Sequence, residues 1–317
     1  MKRVLLTGST GFVGGGLQTV LHRLYSVVAT SRLSQGLADG SSTVGVGDLS
    51  ANTQWTDVLQ GIDCVVHLAG RAHKLTDTVA DPLSLFRRVN VEGALNLAQQ
   101  ASDAGVRRFV FISSIGVHGS RTLAGSLNEL SPMLPRADYA ISKMEAEIGL
   151  REISEASGME LVIIRPPLVY GGHAPGNFRL LLKLVASGFP LPFGGVNNQR
   201  SMVALGNLID LILLCMEHPL AANQTFLASD GVDVSTPQIM RYLAAGMERE
   251  IRLFSVPNFF MHAGASLVGR RNAYYQLCGS LSIDSGKARD LLGWVPPSTP
   301  AQALFKAGQD YISSQNH

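Results

Sequence analysis

The feature that most limits how this chain can fold is an alternation, begun at its first residues, of short β-rich runs with longer stretches of helical period. The β-rich runs are Arg3 to Thr7, Val27 to Ser31, Thr43 to Val46, Cys64 to Leu68, Arg108 to Ser113 and Leu161 to Arg165. Helical patterns lie between them at Phe12 to Leu24, Pro82 to Ala104 and Tyr139 to Ser157. Parallel strands need long crossovers, so this rhythm predicts an α/β fold: a doubly wound parallel sheet with helices on both faces. Such sheets bind ligands beyond the carboxyl ends of their strands, and motifs placed there carry most weight.

After Gly171 the composition shifts, with Gly, Pro and Asn clustered in Gly171 to Asn177 and Pro190 to Asn198. The expected division is residues 1–171 as the main domain and 172–317 as a smaller, mainly substrate-binding region. Helical patterns recur there at Phe178 to Ser187, Leu205 to Glu217 and Thr236 to Gly246, and a strand near Gln224 to Ala228 is expected to rejoin the main sheet. The 317 residues suffice for a substantial core.

A formal charge of +2 with dispersed Lys and Arg argues against a nucleic-acid surface. Cys64, Cys215 and Cys278 are far apart, odd in number and without metal-ligand spacing, which reads as reduced thiols in a cytoplasmic protein. His67, His73 and His118 stand on separate segments, so no metal is expected. The start shows no signal-peptide pattern, and the apolar stretches Leu208 to Met216 and Phe259 to Val268 are too short to span a bilayer, so no membrane partner is expected.

The first strand runs into Thr7-Gly8-Ser9-Thr10-Gly11-Phe12-Val13-Gly14, which opens the first helix. Gly8 suits a tight turn, Gly11 lets backbone approach a pyrophosphate, and Gly14 permits close helix-to-strand packing, while the helix N-terminus offers unpaired N–H groups. A ligand-free turn is the plain alternative; the strand-turn-helix setting favours a Rossmann-type dinucleotide site. At the end of the second strand, where NAD binders place an acid, the chain has Ser31 and Arg32. A guanidinium suits a 2′-phosphate, so NADP(H) is the preferred cofactor, with NAD(H) open.

Tyr139 and Lys143 are four apart at a helix start, on one face. A phenol working near neutrality needs its anion favoured by about three pKa units, or about 4 kcal/mol. An ammonium about 4 Å away supplies that much at an effective dielectric near 20. Upstream, Phe109 to Ile112 ends in Ser113 and Ser114, either of which can bond a substrate oxygen while the other shapes the turn.

Together, Gly8-x-x-Gly11-x-x-Gly14, the serine and Tyr139-x-x-x-Lys143 resemble the extended short-chain dehydrogenase/reductase family in order and spacing. The resemblance covers Asp48-Leu49 as an adenine-contacting pair, His67-Leu68-Ala69-Gly70 as a cofactor-lining segment, Asn90-Val91-Glu92-Gly93 as a helix motif and Arg165-Pro166 to Gly171 as the loop facing the nicotinamide. It selects Ser114, Tyr139 and Lys143 as catalytic. It places His118 where the family has an aromatic residue, a departure expected to bear on substrate contacts. It implies cofactor contacts from Gly8, Thr10, Gly11, Phe12, Val13, Gly14, Arg32, Asp48, Leu49, Leu68, Ala69, Gly70, Tyr139, Lys143 and Pro166.

The second half resembles the nucleotide-sugar epimerases and 4-keto reductases, in which Asn177 approaches the sugar nucleotide, Arg200 binds diphosphate, and Arg270 or Arg271 adds a second clamp. Sugar dehydratases of the family carry Asp-Glu after the catalytic hydroxyl, where this chain has Ile115-Gly116, which argues against dehydration. Overall likeness points to NADPH-dependent reduction of the C4 keto group of a UDP-linked 6-deoxy-hexosamine, with Tyr139 donating the proton. A 4-epimerase holding its NAD tightly is the enzymatic alternative, and a dinucleotide-sensing binding protein the alternative of another class. The helices at Pro82 to Ala104 and Tyr139 to Ser157 resemble those that pair across family homodimers.

Overall fold

The computed structural model describes residues 1–36, 42–72, 81–122, 125–267 and 271–315. Its strands are β1 (Arg3–Thr7), β2 (Ser26–Ser31), β3 (Gln35–Gly36), β4 (Ser42–Gly45), β5 (Cys64–His67), β6 (Arg108–Ile112), β7 (Glu160–Arg165), β8 (Leu168–Tyr170), β9 (Met202–Ala204) and β10 (Gln224–Leu227). The helices are α1 (Phe12–Leu24), α2 (Thr56–Leu59), α3 (Pro82–Phe86), α4 (Gly93–Asp103), α5 (Asp138–Ser157), α6 (Gly176–Ala186), α7 (Leu205–Glu217), α8 (Thr236–Gly246), α9 (Asn258–Leu267), α10 (Arg271–Cys278), α11 (Gly286–Leu292) and α12 (Pro300–Ser313). Eight strands form one sheet in the order β10-β7-β6-β5-β1-β2-β4-β3, parallel except for the β3–β4 edge, and β8 pairs in parallel with β9.

β5 and β6 are buried at every position, as their unbroken apolar runs require when helices cover both faces of a parallel sheet. On one face α1, α7 and α11 pack through Leu17, Leu21, Leu208, Ile212 and Leu292 against Val4, Leu6 and Val110. On the other, α4 and α5 bring Leu97, Ala101, Ala146 and Leu150 against Leu5, Val65 and Phe109. A separate apolar cluster joins α6, α8 and α12 through Phe178, Leu182, Met240, Leu243 and Leu304 beneath Tyr170.

The helix expected from Pro82 to Ala104 is three pieces. Asp81 caps α3, a π-helical segment spans Arg87–Glu92, and α4 follows. The extra residue in a π turn shifts every later side chain around the axis, so a single 3.6-residue period cannot describe the whole stretch. α5 keeps its expected length and ends at Gly158 in the left-handed region, with φ +78°. β10 rejoins the sheet beside β7, and α7 and α11 pack on the first core, so the chain beyond residue 171 contributes both to the sheet's core and to the cluster of α6, α8 and α12.

Candidate active site

The carboxyl ends of β1, β5, β6 and β7 open on one side of the sheet, and the chain turns there through the segments the motifs marked. After β1, Gly8 adopts φ +72°, and its backbone nears residues 68–69 so closely that a Cβ there would sit 2.7 Å from the Ala69 nitrogen. Gly11 is the N-cap of α1 and no side chain caps the helix, so its first N–H groups face the cleft with the positive end of the dipole. Thr7 Oγ1 accepts the Ala69 N–H at 3.2 Å and lies 2.8 Å from His67 Nδ1, tying β1 to the segment after β5.

An open cleft of about 530 Å³ beside this turn is lined by Thr10, Ser31, Arg32, Gln35, Gly47 and Asp48. Arg32 is exposed in it and Ser31 Oγ meets Thr43 Oγ1 at 2.6 Å. Leu49 is buried against Gly93 of α4, where a Cβ would come within 2.9 Å of the Leu49 Cβ, so it shapes the cleft floor while Asp48 faces outward. These residues fit a dinucleotide: an uncapped helix N-terminus for the pyrophosphate, a cleft of mixed polar and apolar lining, Leu33 included, for the adenosine end, and no room for a side chain at the turn between them.

Beyond the turn, the expected reactive groups stand directly after β6 and in the first turns of α5. Ser114 follows β6 and its Oγ accepts the Gly116 N–H at 3.1 Å. A Cβ on Gly116 would lie 3.2 Å from Ser114 Oγ and 3.3 Å from the Ala140 Cβ, so the serine turn rests on the first turn of α5. Pro166 holds that turn from β7, its carbonyl accepting the Ile115 N–H at 2.9 Å. Tyr139 packs edge-on to Phe86 with ring centroids 6.2 Å apart. Lys143 is buried, donates from Nζ to the Ile112 carbonyl at 2.8 Å, and lies 4.5 Å from the centre of the Phe111 ring. Gly70 is beside it: a Cβ there would be 3.6 Å from Lys143 Nζ.

The electrostatics differ from the four-residue argument made on sequence. Burial pushes the Tyr139 phenol up, to about 12, rather than down. Burial also pushes the Lys143 ammonium down to about 8. The lysine donates to the Ile112 carbonyl, and burial holds the Tyr139 phenol in its protonated form.

One organiser was named in sequence only as part of a helix motif. Asn90, buried in the π-helical segment, accepts the Arg71 N–H at 2.7 Å, donates to the Arg71 carbonyl at 3.2 Å and to Ser142 Oγ at 3.0 Å. It thereby ties the segment after β5 to α5, and an asparagine in mid-helix was the signal for it. His118 is buried, facing Arg165 at 2.8 Å and the Pro132 carbonyl at 3.2 Å, both of them protein partners.

In the second lobe, Asn177 donates to Gln276 Oε1 at 2.7 Å, and Arg200 donates from Nη1 to the Gly279 carbonyl at 3.2 Å. No carboxylate pairs with Arg200 among the described residues. His73, Arg270 and the side chain of Arg271 lie outside the described residues. Among the described residues no three His, Cys, Asp or Glu are placed to hold a metal ion, and no helix is long and apolar enough to cross a membrane.

Known proteins resemble the chain along its whole length. A UDP-glucose 4-epimerase of Vibrio cholerae is 42% identical over 318 residues, 99% of this chain and 97% of that protein. The N-acetyl-alpha-D-glucosaminyl-diphospho-ditrans,octacis-undecaprenol 4-epimerase of Escherichia coli O157:H7 is 27% identical, covering 96% of this chain and 94% of its own. Among solved structures, the UDP-glucuronic acid 4-epimerase of Bacillus cereus in complex with NAD superposes with a TM-score of 0.78 at 20% identity, over 99% of this chain and all of that one, which speaks for the shared fold. Residues 4–227 match the sequence profile of one family. With its parallel sheet, glycine turn, and tyrosine and lysine four residues apart at the carboxyl edge, the chain is an enzyme of the NAD dependent epimerase/dehydratase family.

Proposed function

We propose that this enzyme is a nucleotide-sugar 4-epimerase acting on a UDP-hexose, with Ser114, Tyr139 and Lys143 as its catalytic residues. The observation that carries the reading is the end-to-end 42% identity with the Vibrio cholerae UDP-glucose 4-epimerase. It displaces the 4-keto reductase expectation from first place, because that expectation rested on overall likeness and on Arg32 at the end of the second strand, neither of which identifies the sugar chemistry.

A bound dinucleotide supplies reversible two-electron oxidation at the sugar C4. The chain's own groups do the rest. Tyr139 Oη exchanges one proton with the C4 oxygen, taking it as the alcohol becomes a ketone and returning it as the alcohol re-forms on the opposite face. Ser114 Oγ donates a hydrogen bond to that oxygen, and Lys143 supplies the positive charge that a phenolate at Tyr139 requires. Arg200, half-buried and without a carboxylate partner among the described residues, suits the substrate diphosphate, and Asn177 suits the sugar nucleotide beside it. Both stand beyond residue 171, outside the segments that carry Ser114, Tyr139 and Lys143, so the nucleotide is anchored apart from the sugar that turns over.

The test is incubation of the purified enzyme with UDP-glucose, without added cofactor, and NMR of the products. Interconversion with UDP-galactose, lost in Tyr139→Phe, is the expected result; no isomerisation of UDP-glucose or its N-acetylated analogue overturns the reading.

A second reading, NADPH-dependent reduction of a UDP-4-keto-6-deoxy-hexosamine, is favoured by one observation. At the end of β2, where an acid would bind a ribose diol, the cleft presents Ser31 and Arg32, its one carboxylate being Asp48 after β4. That chemistry suits NADP(H), which an enzyme exchanges with each turnover when it is a net reductant. Stoichiometric NADPH oxidation with the keto-sugar, and no isomerisation, would select it.

A further inference from the structure

Helix α5 carries Tyr139, Lys143 and Glu147 at intervals of four, hence on one face, and the reaction proposed above uses only the first two. Glu147 is fully buried. Arg165 at the end of β7 clamps it with two hydrogen bonds, Nε to Oε1 at 2.9 Å and Nη2 to Oε2 at 2.6 Å, and Arg151 adds one from Nη2 at 3.0 Å. Arg165 is 3% exposed and spends Nη1 on His118 Nε2 at 2.8 Å. His118 Nδ1 lies 3.2 Å from the Pro132 carbonyl, which can only accept, so the ring donates there and accepts from the guanidinium as a neutral imidazole.

An apolar pair of the same volume stabilises a core as well as a buried ion pair does, or better, so stability alone does not account for this one. Lys143 stands one turn before Glu147, and among the described residues no carboxylate lies within 4.0 Å of its ammonium. Burial works against its charge, and Glu147 is the group that opposes burial.

We propose that Glu147 is a positioning residue for the proposed reaction: clamped by Arg165, with His118 locking the clamp, its carboxylate keeps Lys143 an ammonium beside Tyr139. The proposal rests on the reading of Tyr139 and Lys143 as the proton-handling pair. The titratable and charged groups facing Lys143 and Glu147 are Arg151 on α5, where Tyr139 stands one turn before Lys143, His67 from β5, Arg165 from β7, His118 after β6, and Lys287 of α11 beyond Arg165. Burial pushes His67 down to about 3 and Tyr139 up to about 12, which leaves Lys143, at about 8, as the group of this set that titrates on the alkaline side of neutrality next to the reaction.

The experiment is an NMR titration of ¹³Cε-labelled lysines in the full chain, the Lys143 signal assigned by its loss in Lys143→Arg. Glu147→Gln is expected to lower the Lys143 midpoint by a unit or more, a tenfold change in its equilibrium, and to move the alkaline limb of turnover by the same amount. Glu147→Gln with Arg165→Met removes both charges together and serves should the single variant fail to fold; a smaller downward shift is expected in it, because the repulsion of the guanidinium is lost with the carboxylate. A Lys143 midpoint unmoved in the folded variants overturns the proposal and leaves Glu147 a structural residue, even if turnover falls. Because the lysine titration needs no substrate, a shifted midpoint in a protein that does not isomerise UDP-sugars would uphold the role of Glu147 while refuting the epimerase reading.

Discussion

Replacing two glycines of the β1–α1 turn by alanine separates what the turn does for the fold from what it does for the cofactor. A Cβ at Gly14 would lie 2.0 Å from the Gly8 carbonyl oxygen, 2.8 Å from the Gly8 carbonyl carbon and 3.0 Å from the Ser9 Cα, all of them backbone atoms. Carbon and carbonyl oxygen rest at about 3.3 Å, so the first turn of α1 must move off β1 by about 1.3 Å. Overpacking of this kind costs about 1–3 kcal/mol. At about 2 °C per kcal/mol for a chain of this size, Tm should fall by about 2–6 °C. The helix N-terminus moves with the turn, and losing one hydrogen bond to a charged phosphate, about 1.5–3 kcal/mol, weakens dinucleotide binding at least about tenfold.

At Gly11 the arithmetic differs. The nearest atom to a Cβ there is the Gly8 oxygen at 3.2 Å, a contact relieved by a few tenths of an ångström. Gly11→Ala should keep Tm within about 1 °C of the parent, since the strain is well below that of a real overpacking. Yet it should bind dinucleotide at least about tenfold more weakly, because the methyl occupies the space through which a pyrophosphate approaches the backbone. Thermal unfolding by circular dichroism and calorimetric titration with NAD(H) and NADP(H), on protein stripped of nucleotide, read the two effects. Equal losses of Tm in the two variants, or unchanged dinucleotide affinity in Gly11→Ala, would refute the assignment of packing to one glycine and ligand approach to the other.

Three further outcomes are expected. Tyr139→Phe should lower turnover by about 10²–10⁴-fold with an unchanged unfolding transition, and a smaller loss would remove the phenol from the proton transfer. Arg32→Ala should weaken NADPH binding by about tenfold and leave NADH binding unchanged, as for a guanidinium on a 2′-phosphate; equal effects on both would sink that assignment. His67, neutral in the fold down to about pH 3 but titrating at its ordinary 6.5 when unfolded, makes the unfolded chain bind a proton that the folded chain refuses. Stability should therefore fall with pH below 6.5 by up to about 1.4 kcal/mol per unit from this group, and denaturant midpoints of His67→Asn should show a slope shallower by that one proton.

The sequence by itself determined the parallel sheet, because alternating short apolar runs and long amphipathic stretches admit few other arrangements; each β-rich run became a strand within a residue or so at either end. It also marked the glycine turn, Ser114, Tyr139 and Lys143, since spacings of three and four residues are local and survive into the folded chain. The break of the Pro82 to Ala104 helix at residues 87–92 was not legible, because a π turn arises from what the helix packs against. The return of β10 to the sheet was legible, but the packing of α7 and α11 on the first core was not, because it depends on which apolar faces find each other across more than 200 residues.

Tertiary structure alone decided the electrostatics. On sequence, Lys143 was an activator four residues from a tyrosine; in the fold it turns to the Ile112 carbonyl, and burial moves the phenol and the ammonium in opposite directions. His118, expected to bear on substrate contacts, is buried between Arg165 and the Pro132 carbonyl, partners 47 and 14 positions away in the chain. Spacing along a helix places two side chains on one face, but the charge each carries depends on the solvent it has lost and the groups packed round it, and those come from strands and loops that only the completed fold brings together.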